Sequence, residues 1–152
     1  MHSRIFQFSE ERLHKYDYIT ESDFYEDPFV GSVADYVADI DDSEREEDIK
    51  WLMSCLEPYG VKLDKEEESI VFPKGFKQRY FEERFKKFKE TVNGMTLNDF
   101  CDSIKAWQLS QIIEKKFDFY IYVSYPQPLD DFIRDLEEEK KYFIGGIVDY
   151  HA

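Results

Sequence analysis

The spacing of apolar positions along the chain predicts both strands and helices. Alternating or continuous β-prone runs, which are typical of strands, occur at residues 4–8, 61–63, 70–72, 117–125 and 142–150. The second and third runs flank a charged turn and should form a hairpin. The fourth has the strongest strand pattern, and Pro126 and Pro128 should end it. Gly145-Gly146 lies inside the last run, which indicates a bulge or a close backbone contact.

Apolar residues at helical spacing predict five helices, at residues 30–40, 43–56, 76–92, 97–114 and 129–139. Ser43 with Glu46 and Thr96 with Asp99 have the spacing of N-terminal caps. The first part of the chain, residues 9–27, is irregular and reads as a loop. The predicted fold class is therefore α+β, with about five helices packed on a largely antiparallel sheet of about four to five strands, in a single domain over residues 1–152.

The composition indicates a folded chain despite its high charge. Aromatic residues make up 18% of the 152 residues, and aromatic side chains bury large areas when they pack. Residues 1–11 lack the apolar core of a secretory signal, and no run of apolar residues is long enough to span a bilayer. We therefore expect a cytoplasmic protein with no membrane contact. Cys55 and Cys101 match no metal-binding spacing, and Cys101 should be a buried, inert thiol within an apolar stripe.

The charge is concentrated in one part of the chain. Residues 10–57 contain 16 Asp or Glu and four Lys or Arg, a local net charge of −12 out of −14 for the whole chain. Asp35, Asp39 and Asp42 are spaced to form a row on one helix, and Glu46 and Glu47 extend the charge into the next helix. Such a surface repels nucleic acid and favours a basic protein partner. A solvated face that only aids solubility is the alternative interpretation.

Other candidate surfaces have weaker patterns. Trp51 lies off the apolar stripe of its helix and is either covered by a loop or exposed as a partner-binding residue. The basic residues between Lys74 and Lys89 alternate with aromatic ones, a pattern that can form a nucleic-acid surface. However, Phe81, Phe85, Phe88 and Val92 form the apolar stripe of this helix and should be core. Glu82 with Lys86 has the spacing of an ion pair on an exposed helix. That helix could also dock on the acidic half of a second copy. A calcium loop starting at Asp39 fails, because Glu44 and Lys50 replace the required Gly and Glu.

Enzyme chemistry has no support from motifs, so catalysis is uncertain and the sequence leans against it. His2, His14 and His151 have no metal-ligand partner at helical spacing, and neither a cofactor nor a metal is expected. The leading hypothesis is a small acidic protein that binds a basic protein surface through Asp35, Asp39, Asp42, Glu46, Glu47 and Trp51. In charge and size it resembles small acidic inhibitors, such as toxin-immunity proteins and DNA mimics.

Two further interpretations stay open. The first is a ligand-binding or enzymatic pocket between the sheet and the helices, near Tyr120, Tyr122 and Tyr125, although ordinary strand packing also explains these tyrosines. The second is a homo-oligomer held by charge, with the basic helix of one copy on the acidic residues of another. Light scattering at low and high salt separates self-association from partner binding and from the pocket interpretation.

Overall fold

The computed structural model of the chain describes residues 2–152, so Met1 of the expected domain lies outside the described residues. The described residues contain seven strands and six helices. The strands are β1 (His2–Ser9), β2 (Tyr36–Asp39), β3 (Lys62–Asp64), β4 (Ser69–Val71), β5 (Tyr120–Tyr122), β6 (Pro126–Pro128) and β7 (Lys141–His151). The helices are α1 (Phe29–Ser32), α2 (Asp42–Leu56), α3 (Phe76–Gly94), α4 (Leu97–Cys101), α5 (Ser103–Ile113) and α6 (Leu129–Asp135). Short 3₁₀ turns occur at Lys15–Asp17, Glu21–Phe24 and Glu57–Tyr59.

The long strand β7 organises the sheet. The strand order is β3-β4-β7-β1-β5-β6, and β2 also pairs with β7. Along β7, β4 covers residues 141–143 and β2 covers residues 148–151, while β1 pairs with it along most of its length. Among the described strands, every neighbouring pair is antiparallel except β1 with β5, which is parallel. The expected α+β class with a largely antiparallel sheet is therefore confirmed, with more strands than expected.

A bulge at Gly145-Gly146 controls which side chains of β7 face each core. Phe6 of β1 pairs with Ile147, whereas Phe8 pairs with Ile144, so two glycines lie opposite the single residue Gln7. Because side chains alternate along a strand, the extra residue turns both isoleucines towards the same core. The side-chain oxygen of Gln7 accepts hydrogen bonds from the backbone N–H groups of Gly146, at 2.8 Å, and Ile19, at 3.0 Å. A bulge or a close backbone contact was expected at Gly145-Gly146, and the structure has both.

Each face of the sheet is covered by a different part of the chain. On one face, α2, the start of α3 and α6 pack on residues that include Phe6, Phe8 and Ile144. On the other face, the loop that follows β1 contributes Ile19, Phe24 and Phe29, which pack against Val148 and Tyr150. We call residues 10–29 the acidic loop and the cluster on this face the second core. The loop is therefore anchored by Ile19, Phe24 and Phe29, and most of its charged residues are exposed.

Several element predictions are confirmed and others need correction. The hairpin is confirmed as β3 and β4, and the side chain of Thr96 accepts a hydrogen bond from the N–H of Asp99 at the start of α4. The cap of α2 is Asp41 with Glu44, two residues before the predicted Ser43. The helix expected at 97–114 is broken at Asp102, whose side chain caps α5.

Two further predictions are wrong over longer segments, and both segments contribute strands to the sheet. The helix expected over residues 30–40 is wrong: apart from the single turn of α1, this segment contains β2, whose backbone pairs with β7. The long strand expected over residues 117–125 is reduced to the three residues of β5. Pro126 and Pro128, expected to end it, belong instead to the neighbouring strand β6.

Candidate functional site

The acidic residues predicted to bind a partner do not form a helical row. Asp35 precedes β2, Asp39 ends it, and Asp42 is the first residue of α2. The predicted spacing on one helix is therefore wrong for these three residues. They nevertheless belong to one continuous segment that turns from the edge strand β2 into α2, and all three are exposed. We call Asp35, Asp39, Asp42, Glu46 and Glu47 the acidic surface.

Some members of the acidic surface have structural contacts. The side chain of Asp39 accepts a hydrogen bond from the backbone N–H of Glu21, at 2.7 Å, and ties β2 to the acidic loop. Asp42 pairs with Lys15 at 2.8 Å, and this hydrogen bond lowers the pKa of the carboxyl group. Asp35 lies 3.3 Å from the ring of His151. The Asp35 and Asp42 side chains are 76% and 80% exposed, so their contacts leave them open to a partner.

Glu46 and Glu47 are exposed in the first half of α2. Among residues 2–152, the side chain of neither glutamate makes a hydrogen bond or an ion pair. Trp51, one turn further along, is 40% exposed and packs its ring against Phe6 and Phe119. It is therefore a half-buried residue at the border of the acidic surface, between the two arrangements that the sequence left open.

Two arginines hold α2 in place beneath this surface. Arg45 donates hydrogen bonds to the carbonyls of Ile144, at 3.1 Å, and Gly145, at 2.9 Å, in the stretch of β7 that neither β2 nor β4 covers. Its guanidinium also binds Glu68 through two hydrogen bonds and stacks over the ring of Tyr18. Arg4 of β1 pairs with Asp48 at 2.5 Å and also with Asp149. Burial of Asp48 raises its pKa even though Arg4 opposes this shift.

The basic residues of α3 have separate roles. Lys77 and Arg79 donate hydrogen bonds to backbone carbonyls at the base of the helix. Lys86 pairs with Glu82 at 3.2 Å, which confirms the predicted pair on an exposed helix. Lys87 and Lys89 are exposed. The exposed lysines of α3 therefore lie in its outer half.

The outer half of α3, together with α4 and α5, forms what we call the helical arm, residues 84–113. Its apolar stripe was expected to be core, and this expectation is wrong for most of the arm. Seven large apolar side chains are between 41% and 77% exposed, namely Phe85, Val92, Leu97, Phe100, Ile104, Trp107 and Ile113. Cys101, expected to be buried, is also exposed. An apolar surface of this extent is typical of a binding surface.

A polar cluster at the base of the arm was missed at the sequence level. Asp130 is buried and accepts hydrogen bonds from the Tyr80 hydroxyl, at 2.8 Å, and from Nη1 of Arg84, at 2.7 Å. Burial and the bond to Asp130 raise the pKa of Tyr80. The available signal was the position of Arg84, which lies three residues after Phe81 and four before Phe88 in the apolar stripe.

The remaining candidate residues are structural or dispersed. The Tyr120 ring packs against Phe29 and Tyr150, and Tyr122 packs against Phe24, whereas Tyr125 is exposed beyond the end of β5. These three tyrosines therefore do not surround a shared pocket. In the described part of the chain, no group of three or more His, Cys, Asp or Glu side chains is placed to hold a metal ion.

Comparisons with protein-family models, curated proteins and solved structures found no match to this chain. A scan of residues 2–152 found no helix with the length and apolar character needed to cross a bilayer. The candidate sites are consequently defined by their own chemistry, namely an acidic surface, an apolar arm and a polar cluster at the base of that arm.

Proposed function

We propose that this chain is a small cytoplasmic interaction protein that binds a basic protein surface through its acidic surface. The observation that carries the proposal is the exposure of acidic side chains along the turn from β2 into α2, within a segment whose local net charge is −12. Glu46 and Glu47 have no structural partner among the described residues, so the fold does not need their charge. Charge that does not stabilise the fold is free to serve recognition.

The arrangement suits fast, salt-sensitive binding. Complementary charges steer two proteins together and raise the rate of association more than they raise the affinity. Trp51 is 40% exposed on the same helix, and tryptophan is enriched among the residues that supply most of the binding energy of an interface. The rigid base supplied by Arg4 and Arg45 keeps α2 fixed on the sheet, so little ordering is needed on binding.

Charge reversal of Glu46 and Glu47 to Lys should weaken binding to a basic partner by at least about tenfold, because two charges change sign at the contact and the net charge changes by four units. The matched control is Glu83→Lys with Glu90→Lys, which changes the net charge by the same amount on the exposed side of α3. Affinities of both variants are measured by calorimetry with the purified partner at low salt. Equal weakening by both variants would show that only net charge matters and would contradict a specific acidic surface.

Self-association is a second candidate, favoured by the exposed helical arm. The seven exposed apolar side chains correspond to roughly 100 Å² each, so the arm offers on the order of 700 Å², close to what one partner contributes to a standard interface. Lys86, Lys87 and Lys89 lie on the same arm, and the acidic surface of a second copy would complement them. The partner that we propose for the arm is therefore a second copy of the chain.

The substitution Trp107→Ser should shift a dimer towards monomer, because Trp107 is the largest exposed apolar side chain of the arm. Light scattering over a concentration series gives the mass of each species at low and high salt. The same change at Tyr16, which is 83% exposed outside the arm, is the control and should leave the mass unchanged. A wild-type monomer at every concentration and at both salts would exclude self-association.

A further inference from the structure

The polar cluster supplies hydrogen-bond acceptors for only part of the Arg84 guanidinium. Its Nη1 atom donates both to Asp130, at 2.7 Å, and to the carbonyl of Glu114, at 2.8 Å. Its Nε and Nη2 atoms are buried and have no hydrogen-bond partner among the described residues. A buried donor without a partner is costly, and more so when the group is charged. One edge of this guanidinium therefore lacks an acceptor.

The guanidinium stays charged in this environment. Burial disfavours the charge, but the hydrogen bond and negative charge of Asp130 outweigh it and raise the pKa of Arg84. The Cζ atom of Arg84 lies 4.9 Å from the ring centre of Phe81, and the Cζ atom of Arg134 lies 5.1 Å from the same ring. Arg134 is engaged with Asp131 at 2.7 Å. Two guanidinium groups thus meet around one aromatic ring.

A cavity lies against Arg84, and the buried Nε and Nη2 atoms of this residue become accessible from it only when the side chains that cover them move. It has a volume of about 220 Å³ and is lined by the two arginines and Phe81 together with apolar side chains of α3 and α5, namely Phe85, Phe88, Ile112 and Ile113. This volume is smaller than that of pockets for drug-sized ligands, so it suits a small molecule. Phe85 and Ile113 are 61% and 62% exposed, so they can move aside without disturbing the core.

The two unpaired donors of Arg84 require an acceptor of a particular geometry. The Nε–H of an arginine and one N–H of its Nη2 point in parallel directions and fit the two oxygens of a carboxylate. We propose that this cavity, opened further when Phe85 and Ile113 move aside, binds a small organic acid, whose carboxylate accepts from Nε and Nη2 of Arg84 and whose apolar part lies against Phe85, Phe88 and Ile112. This site is separate from the acidic surface, and its test does not depend on the function proposed above.

Titration with phenylacetate, followed by NMR of the arginine Nε–H groups and the backbone amides, tests this proposal on the unmodified chain. Saturable shifts at Arg84 Nε–H and at the amides of α3 and α5 are the expected result. The neutral analogue 2-phenylethanol has a similar shape and no carboxylate, and it should bind at least about tenfold more weakly. No saturable shift at Arg84, or equal shifts with the neutral analogue, would overturn the proposal.

The substitution Arg84→Lys sharpens the test, because lysine keeps the positive charge beside Asp130 but cannot form two parallel hydrogen bonds. Phenylacetate binding should weaken by at least about tenfold, while Arg79→Lys on the same helix should leave it unchanged. Undiminished binding by a folded Arg84→Lys variant would overturn the assignment of the carboxylate to Arg84. The Nε–H shift in the unmodified protein decides the matter if this variant does not fold.

Discussion

Replacing Arg45 with alanine should lower the free energy of unfolding by about 3 kcal/mol, because several buried interactions are lost together. The carbonyls of Ile144 and Gly145 would lose their donor in the only stretch of β7 between β2 and β4. Glu68 would also lose a partner that it binds through two hydrogen bonds. Urea denaturation followed by circular dichroism measures the change.

The control for this experiment lies on the same helix. Lys50 is exposed on α2, and Lys50→Ala should change the free energy of unfolding by less than about 0.5 kcal/mol. Arg45→Lys should be intermediate, since lysine keeps the charge but cannot reach both carbonyls and Glu68 with a planar group. A loss below about 1 kcal/mol for Arg45→Ala would show that the arginine does not hold α2 to the sheet.

Gly146→Ala should destabilise the chain by at least about 2 kcal/mol, because the bulge leaves no room for a side chain. A Cβ atom at this position would lie 2.6 Å from the carbonyl oxygen and 2.7 Å from the nitrogen of Ile19. Both of these atoms belong to backbone, and the loop that carries them is anchored in the second core by Ile19 itself. The strain would therefore separate the acidic loop from β7, and thermal unfolding would detect it.

Gly94→Ala is the matched control. A Cβ atom at Gly94 meets nothing within 4 Å, and this residue ends α3. Alanine there should be neutral or should stabilise the protein by about 0.5 kcal/mol, through its lower entropy in the unfolded chain. A destabilisation of Gly146→Ala no larger than that of Gly94→Ala would contradict the close contact between the bulge and the loop.

The strands at the centre of the sheet were predictable from sequence because the alternation of their side chains is visible within each segment. Residues 4–8 and 142–150 alternate in keeping with the two cores, and the Gly145-Gly146 pair marks the bulge. The segment 30–40 was not predictable in this way. Its valines have helical spacing, but Val37 packs in the second core as part of a strand, and pairing with β7 overrides the local pattern.

The candidate sites were predictable only in part, for a related reason. The position of the negative charge was evident from the sequence, but the arrangement of Asp35, Asp39 and Asp42 depends on β2 being a strand. The stripe around Phe85 and Val92 was expected to be core, because an apolar pattern identifies a side that can be buried without identifying what buries it. The Arg84 cluster joins α3 to α6 across 46 residues, and local spacing does not reveal such a contact.

Affinity capture from a lysate of the source organism, read by quantitative mass spectrometry, tests the proposed recognition by the acidic surface most directly. The wild-type chain and the Glu46→Lys, Glu47→Lys variant serve as paired baits at low and high salt. We expect one basic protein to be enriched by the wild type at low salt, and to be lost both at high salt and with the variant. Equal recovery of every protein by both baits at low salt would contradict binding through the acidic surface.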